Sequence, residues 1–312
     1  MRAAHMLSRH LLSCAVLPIA CAAFAPSATA GTDAGHKFSA EVSAGILADS
    51  DVGLAELDQT TREGDIASLI GLKLGAELKP ANQLTLRAGY ELSDTRYQDF
   101  DTFNLQTHRF SAEGEYAFGA TSAGVMYNYV DARLDGEGYL TFQQVSPYVS
   151  HLFSNQFLLR GAYARSERDF DSETGRNSAS DEMQLDAFIL LDGTRRYVVL
   201  GGKGGQTRAD DDAFSYDNAG LKGRFVQRTD LYGRDVKLRL AADFDARDYA
   251  ANAPGLNVAR KDETAAATAG IEVQIAGPIS VDLTYEYRQR DSNVAAADFQ
   301  ENLGTVQLKL AF

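Results

Sequence analysis

The sequence predicts an all-β protein, a transmembrane antiparallel up-and-down β-barrel of about fourteen strands, within a range of about twelve to sixteen. Three observations support this prediction. The chain begins with a segment typical of an export signal, it continues in short stretches that alternate apolar and polar residues, and the links between these stretches alternate between short and long. Together, these three properties are typical of an exported protein whose β-sheet closes into a barrel within a membrane.

The composition excludes several other classes of protein. The 312-residue chain carries a formal net charge of −13, with 45% hydrophobic residues, six prolines and two cysteines. A disordered chain has more proline and a smaller fraction of hydrophobic residues, so this class is excluded. Two cysteines do not make a disulfide framework or a four-cysteine zinc site. Because an acidic chain lacks a general attraction for nucleic acid, we expect no nucleic-acid partner.

Residues 1–30 have the pattern of a cleaved secretory signal peptide. Arg2 and Arg9 supply the positive start, an apolar stretch follows, and Ala28–Ala30 fits the small-x-small cleavage pattern. The apolar stretch is too short to span a bilayer stably. Residues 31–312 then form the barrel domain, which carries a charge of −15 and no cysteine, since the removed segment contains two arginines, no acids and both cysteines.

The rest of the chain has a hydrophobic period of two. In the clearest stretch, residues 279–288, Ile, Val, Leu and Tyr fill the odd positions and Ser, Asp, Thr, Glu and Arg the even ones. Since successive strand side chains point to opposite faces, one face is apolar and the other charged. The stretches near Pro147 and over 197–203 alternate poorly. The predicted strands start near Lys37, Ile66, Gln83, Gln106, Ser122, Tyr139, Gln156, Asp181, Arg195, Asp217, Arg234, Glu263, Ile279 and Leu303.

The links between the predicted strands alternate in length. The short turns fall at 79–82, 119–121, 154–155, 192–194, 232–233 and 277–278. The longer polar links fall at 48–65, 94–107, 131–138, 165–180, 207–216, 247–262 and 291–300. Short periplasmic turns and long outer loops are typical of bacterial outer-membrane barrels, and a closed barrel leaves no unpaired sheet edge in lipid.

The last strand adds a second indication of the outer membrane. Val306, Leu308, Leu310 and Phe312 share one face, and the chain ends in the aromatic residue. This resembles the C-terminal strand of outer-membrane barrels, where a terminal Phe is part of the signal that the barrel assembly machinery reads. We therefore expect a Gram-negative outer-membrane location, with outer-membrane lipid and lipopolysaccharide, periplasmic chaperones, the assembly machinery and a periplasmic secretion partner as its contacts.

A narrower resemblance involves about the last fifty residues. The run from Tyr285 to Asn293, followed by Asp298-Phe299 and a final strand to Phe312, resembles the end of the barrel in surface lipoprotein assembly modifiers. The resemblance implies a barrel of about fourteen strands and a role in lipoprotein export. In those modifiers a helical-repeat domain precedes the barrel, whereas the strands predicted here begin within ten residues of Gly31.

The polar face of the predicted strands gives the candidate lining of the barrel interior. Basic and acidic residues are nearly balanced on this face, so it suits a hydrated pore for polar solutes. Mutual ion pairing that fills and closes the barrel is the alternative, since both arrangements satisfy buried charges. The lumen-lining candidates are Arg87, Glu91, Arg109, Glu113, Glu115, Arg160, Lys222, Arg224, Lys237, Arg239, Asp243, Asp282, Glu286, Arg288 and Lys309.

The sequence gives little support for catalysis, a cofactor or a metal. His108 and Ser111 are three positions apart in a strand and therefore point to opposite faces. The glycine-rich run at 201–207 lacks the Ser or Thr that follows the lysine of a phosphate loop. The acidic link at 48–65 is interpreted as a solvated surface loop facing lipopolysaccharide, with calcium binding through its carboxylates as the alternative.

We therefore expect a passive pore or export conduit for small polar solutes or for a secreted polymer or lipoprotein. The alternative is a non-conducting structural or surface-interaction barrel that displays acidic loops. A lipid-modifying outer-membrane enzyme is the third hypothesis, and the expectation is that the protein is not an enzyme.

Overall fold

The structure, a computed structural model, describes residues 36–312. The predicted signal peptide lies outside the described residues, and its cleavage stays a prediction. The strands are β1 (His36–Asp49), β2 (Gly53–Leu54), β3 (Gln59–Thr60), β4 (Asp65–Leu78), β5 (Leu84–Tyr97), β6 (Leu105–Phe118), β7 (Thr121–Leu134), β8 (Glu137–Ser154), β9 (Phe157–Phe170), β10 (Ser178–Asp192), β11 (Arg196–Ala209), β12 (Tyr216–Leu231), β13 (Arg234–Asn252), β14 (Ala259–Ala276), β15 (Ile279–Ser292) and β16 (Phe299–Ala311). Single 3₁₀ turns cover Asp101–Phe103, Thr174–Arg176 and Asp212–Phe214.

Fourteen of these strands form one closed antiparallel barrel. Each barrel strand pairs with its neighbours in the chain, and β1 closes the sheet by pairing with both β4 and β16. The predicted all-β, up-and-down barrel of about fourteen strands is confirmed, and every predicted strand start lies within four residues of the observed one. None of the helices in the described part of the chain is long and apolar enough to cross a membrane.

The two ends of the barrel differ in the length of their connections. The turn end carries the links 79–83, 119–120, 155–156, 193–195, 232–233 and 277–278. The loop end carries 50–64, 98–104, 135–136, 171–177, 210–215, 253–258 and 293–298. The long links are shorter than predicted, because backbone pairing continues into polar sequence.

The link predicted at 131–138 is only a two-residue turn. Asp135 and Gly136 both have positive φ, 49° and 82°. An Asp-Gly pair with positive φ at both positions gives the tight hairpin turn whose twist matches that of the flanking strands.

The outer face of the barrel is an apolar band. Phe38, Val42 and Ile46 project outward from β1, and Val306 and Leu308 project from β16, all with large exposed areas. Every barrel strand carries at least one exposed large apolar side chain, and such a surface is typical of a wall that lies in lipid. The alternating pattern in the sequence therefore reports which side chains face the bilayer and which face the interior.

Two apolar clusters lie inside the barrel, and the first of them explains why the stretch 197–203 alternates poorly. Leu158, Phe188, Leu190, Tyr197 and Val199 pack together near the turn end. Because Tyr197 and Val199 face the interior, β11 is apolar on both faces there, and the period of two disappears.

The second cluster lies near the loop end. Ala132, Tyr139, Leu140 and Phe170 form it, and they come from β7, β8 and β9. Both clusters are made by neighbouring strands, so this part of the barrel interior is filled by apolar side chains.

A charge introduced on the outer face tests this description. Leu221 lies within β12, and 69% of it is exposed outward. We expect Leu221→Arg to lower the free energy of unfolding in phospholipid vesicles by about 2–4 kcal/mol, because the guanidinium would lie within the hydrocarbon. Tyr232→Arg is the control, since Tyr232 lies in a turn and is 96% exposed; near the interface the cost is about 0–1 kcal/mol. Urea titration measures both values, and equal losses would contradict a lipid-facing wall.

Candidate functional site

The interior contains a cavity of about 700 Å³ on one side of the barrel. Its wall is formed by β11 to β16, β1, β4 and β5, and residues of the first loop, 50–64, lie across it. Ten of the fifteen lumen-lining candidates border this cavity. They are Glu91, Lys222, Arg224, Lys237, Arg239, Asp243, Asp282, Glu286, Arg288 and Lys309.

Charges of opposite sign are paired along the cavity wall nearest the turn end. Asp282 of β15 accepts hydrogen bonds from the Arg239 guanidinium at 2.7 Å and from the Lys309 ammonium at 2.8 Å. Arg239 also pairs with Glu272 at 3.2 Å. Because each charge has a partner on a neighbouring strand, the wall stays close to neutral while its polar groups still border the cavity.

The same pattern continues towards the loop end. Lys203 pairs with Asp245 at 2.8 Å, across β11 and β13. Arg288 of β15 lies between Glu286 and Glu301, at 2.7 and 3.2 Å. The lining therefore carries charges of both signs, many of them in pairs between strands.

The other five candidates lie beside the cavity in a packed cluster under β5 to β9. Arg87 pairs with Glu113 at 2.8 Å, and the Tyr148 hydroxyl donates to Glu115 at 2.9 Å. The Arg160 guanidinium lies over the Tyr148 ring, 4.1 Å from its centroid. Arg109 reaches Asn128 at 3.4 Å. These charges are held by ion pairs, hydrogen bonds or ring contacts and are buried or half-buried, as the filled-barrel alternative expects.

Gly124 makes this packing possible. A Cβ at this position would come within 2.6 Å of the Tyr148 ring. Glycine therefore lets the phenol lie flat against β7 and reach the carboxylates of β6.

The first loop folds inward across the loop end of the barrel. Its short strands β2 and β3 pair as a hairpin, and Val52 and Leu54 are buried. At the tip, Leu57 packs against the apolar cluster that includes Tyr139 and Phe170. The hairpin therefore covers the cavity and reaches the opposite wall.

Asp58, at the tip of this hairpin, is held by three arginines from across the barrel. Its carboxylate accepts two hydrogen bonds from Arg260, at 2.7 and 2.8 Å, and one each from Arg176 and Arg290, at 3.0 Å. Arg176 and Arg290 also donate to backbone carbonyls of the same turn, at 2.7 and 3.2 Å. These contacts fasten the loop to β14, to β15 and to the link between β9 and β10.

Electrostatics and backbone geometry both mark Asp58 as a constrained residue. Burial by itself raises its pKa, but the hydrogen bonds and charges of the three guanidinium groups, with Arg260 foremost, hold the pKa below its usual value. The backbone of Asp58 is left-handed, with φ of 55°. A non-glycine residue adopts this conformation when its surroundings compensate for the strain.

The expectation that the 48–65 link displays its acids at the surface is wrong for most of its carboxylates. Asp49 and Asp65 are buried, and Asp49 accepts a hydrogen bond from the Tyr97 hydroxyl at 2.8 Å. Glu56 borders the cavity, where burial raises its pKa. The physical reason is that each buried acid has hydrogen-bond donors: backbone N–H groups for Asp65, the Tyr97 hydroxyl for Asp49, and arginines from across the barrel for Asp58. In residues 36–312, no group of three or more His, Asp or Glu is placed to hold a metal ion.

The sequence reasoning missed the arginines that bind Asp58. Arg176 and Arg260 lie in or next to loops, 118 and 202 residues from Asp58. Local periodicity carries no signal for such a contact. The excess of acidic residues in the 48–65 link was the one signal in the sequence, because buried acids need basic side chains elsewhere in the chain as partners.

His108, His151 and the C-terminal residue Phe312 each contact a neighbouring strand of the barrel. His108 contacts the Tyr90 hydroxyl at 2.9 Å, and His151 contacts the Thr121 hydroxyl at 2.8 Å. Phe312 ends the chain at the turn end, where its backbone N–H donates to Ala40 at 2.8 Å and its side chain is exposed. The assembly role of Phe312 stays a prediction.

Comparison with solved structures shows the fold. Outer-membrane expressed OmpT of Vibrio cholerae aligns with a TM-score of 0.54 at 9% identity, covering 91% of this chain and 100% of that one. A loop L8 deletion mutant of the same protein gives a TM-score of 0.51 at 10% identity, covering 90% and 100%. At this identity the likeness concerns the barrel alone. No curated protein matches the sequence.

A protein-family model described as surface lipoprotein assembly modifier matches residues 72–312. The match runs from within β4 to the last residue, so it contains most of the barrel and extends the resemblance seen in the last fifty residues. Together with the closed barrel and its likeness to an outer-membrane protein, it indicates the outer membrane as the location. The chain belongs to the surface lipoprotein assembly modifier family.

Proposed function

We propose that this barrel is a conduit across the outer membrane and that its first loop closes the conduit at the loop end. The observation that carries the proposal is the cavity lined by charges of both signs and covered by residues 50–64. The turn end faces the periplasm and the loop end faces the cell exterior, in line with the usual placement of short turns and long loops. The family name favours the polypeptide part of a lipoprotein as cargo.

A lining that carries charges of both signs suits the passage of a polypeptide. A wall of one sign would bind segments of the opposite charge and repel the others. In this wall, carboxylates and cations lie within hydrogen-bonding distance of each other, as Asp282 and Lys309 do. Each contact with a passing polar segment is then weak and replaceable, and conduction requires sites that release what they bind.

The first loop is built to move as one piece. The Arg62 backbone N–H and the Thr60 hydroxyl both donate to Asp51, at the base of the hairpin. Val52 also exchanges backbone hydrogen bonds with residues at the end of the loop. The hairpin therefore keeps its internal bonds when the contacts of Asp58 to the opposite wall are broken.

The packed sector supports the second candidate, a non-conducting barrel that interacts with partners through its loops. Arg87, Tyr148 and Arg160 fill the space under β5 to β9. Ion conductance distinguishes the two functions, because a barrel filled throughout passes no current even when its first loop is released.

Removing the charge of Asp58 is expected to open the conduit. Asp58→Asn weakens the hydrogen bonds to three arginines, and bonds to a charged group contribute about 1.5–3 kcal/mol each. We expect the open-state population in planar-bilayer recordings to rise at least about tenfold. Glu63→Gln, in an exposed part of the same loop, is the control and should leave it unchanged. Persistently closed Asp58→Asn channels would show that this loop is not the gate.

The pH dependence of opening follows from the low pKa of Asp58. A carboxylate whose pKa is lowered in the closed state stabilises that state above its usual pKa of 3.8, and this contribution is lost as the pH falls through the lowered value. Burial raises the pKa of Glu56, so its protonation as the pH falls favours the closed state. Conductance should therefore stay low from about pH 7 to about pH 5 and rise only below about pH 4. The Asp58→Asn protein should lack this acid transition, and an opening of the wild type near neutral pH would contradict the assignment.

Lining charges should control ion selectivity in the opened barrel. In the Asp58→Asn background, replacing Arg239 and Arg288 by Gln removes two positive charges from the cavity wall, so the reversal potential in a salt gradient should shift towards cation selectivity. Arg165→Gln removes the same charge from a pair with Asp181, and it is the control because residue 165 projects outward. Identical reversal potentials for all three proteins would mean that the two arginines do not line the ion path.

A further inference from the structure

The closing seam of the barrel, between β1 and β16, is the shortest of its strand pairings. Residues 41–49 of β1 pair with 303–311 of β16, which gives nine paired positions. The other thirteen seams each have twelve to sixteen. The first residues of β1 continue along β4 but extend past the end of β16, where one pair of backbone bonds joins Ala40 to Phe312.

This seam also differs from the others in its connectivity. Every other pair of adjacent barrel strands is joined by a turn or a loop, whereas β1 and β16 are joined only by hydrogen bonds. Parting them breaks the smallest number of ladder bonds and stretches no covalent link. It is therefore the place where the wall opens at the lowest cost.

The seam separates the cavity from lipid by a single ladder. Ser43 of β1 and Lys309 of β16 are paired positions that border the cavity. Ile46 and Val306, also paired, project into the outer apolar band. Parting the two strands thus connects the charged cavity directly with the bilayer, which does not hold for β6 to β9, where the interior is packed.

The seam is fastened to the first loop. Ser50, the first residue of that loop, donates its backbone N–H to Asn302 of β16 at 3.1 Å, and its hydroxyl accepts the Asn302 N–H at 2.8 Å. These two bonds join the first residue of the loop to the loop end of the seam, whereas the tip of the loop, at Asp58, is held by the opposite wall.

We propose that β1 and β16 part during transport, so that the polypeptide of a lipid-anchored cargo occupies the cavity while its acyl chains stay in the bilayer. This proposal rests on the proposed function. Each methylene of an acyl chain favours hydrocarbon over a charged, hydrated cavity. A cargo with both parts therefore needs an opening in the wall that runs along the membrane normal, and a closed barrel has none.

Two disulfides that share one residue test the seam. Ile46→Cys with Val306→Cys locks β1 to β16, and Leu283→Cys with Val306→Cys locks β15 to β16. Directly opposite residues lie about 4.5–5.5 Å apart between Cα atoms, which disulfide geometry accepts. Residues 31–312 contain no native cysteine to interfere. The probe is a diacylated peptide with a fluorophore on its polar chain, placed in proteoliposomes of the Asp58→Asn protein, and a membrane-impermeant quencher reports the side of the fluorophore.

The expected result is transfer of the fluorophore by the unlocked protein and by the β15–β16 lock, with at least about a tenfold loss in the β1–β16 lock that reductant restores. Ion conductance should be equal in all three proteins, because the lumen itself is unchanged. Equal transfer with β1–β16 locked, or no transfer by a conducting unlocked protein, overturns the seam proposal and leaves the conduit intact. Absence of both transfer and conductance contradicts the proposed function itself.

Discussion

An unpaired backbone N–H or C=O in lipid finds no water to bind, so a sheet that crosses a membrane must close on itself. In this protein closure depends on nine paired positions between the first and last barrel strands. The outward apolar band, the inward polar face and the location of every loop follow from that closure. It also fixes the cost of any opening, since a strand parted from its neighbour exposes a row of polar groups to hydrocarbon.

The second constraint is electrostatic, because closure places many ionisable side chains inside a low-dielectric wall. The barrel meets it in two ways. Under β5 to β9 the charges are paired and packed against Tyr148, whereas under β11 to β16 they are paired across strands and still face a cavity. The sequence admitted a hydrated pore and a filled barrel as alternatives, and the structure contains a packed sector beside a sector with a charge-lined cavity.

The strands were predictable because side-chain alternation is a local consequence of facing lipid on one side. It fails where a strand is apolar on both faces, as at Tyr197 and Val199. The lengths of the loops were not predictable, since backbone pairing continues into polar sequence. The contacts of Asp58 with Arg176 and Arg260 were not predictable either, because residues more than a hundred positions apart meet without any local periodicity.

The packing of Tyr148 against Gly124 gives the barrel one stiff flank and one compliant flank. Interdigitated aromatic, aliphatic and ion-paired side chains under β6 to β9 resist compression, as close-packed interiors do. The flank that borders the cavity has no such filling. Any deformation of the cross-section is therefore concentrated on the side that borders the cavity. The packed strands keep the diameter of the barrel while that side bends.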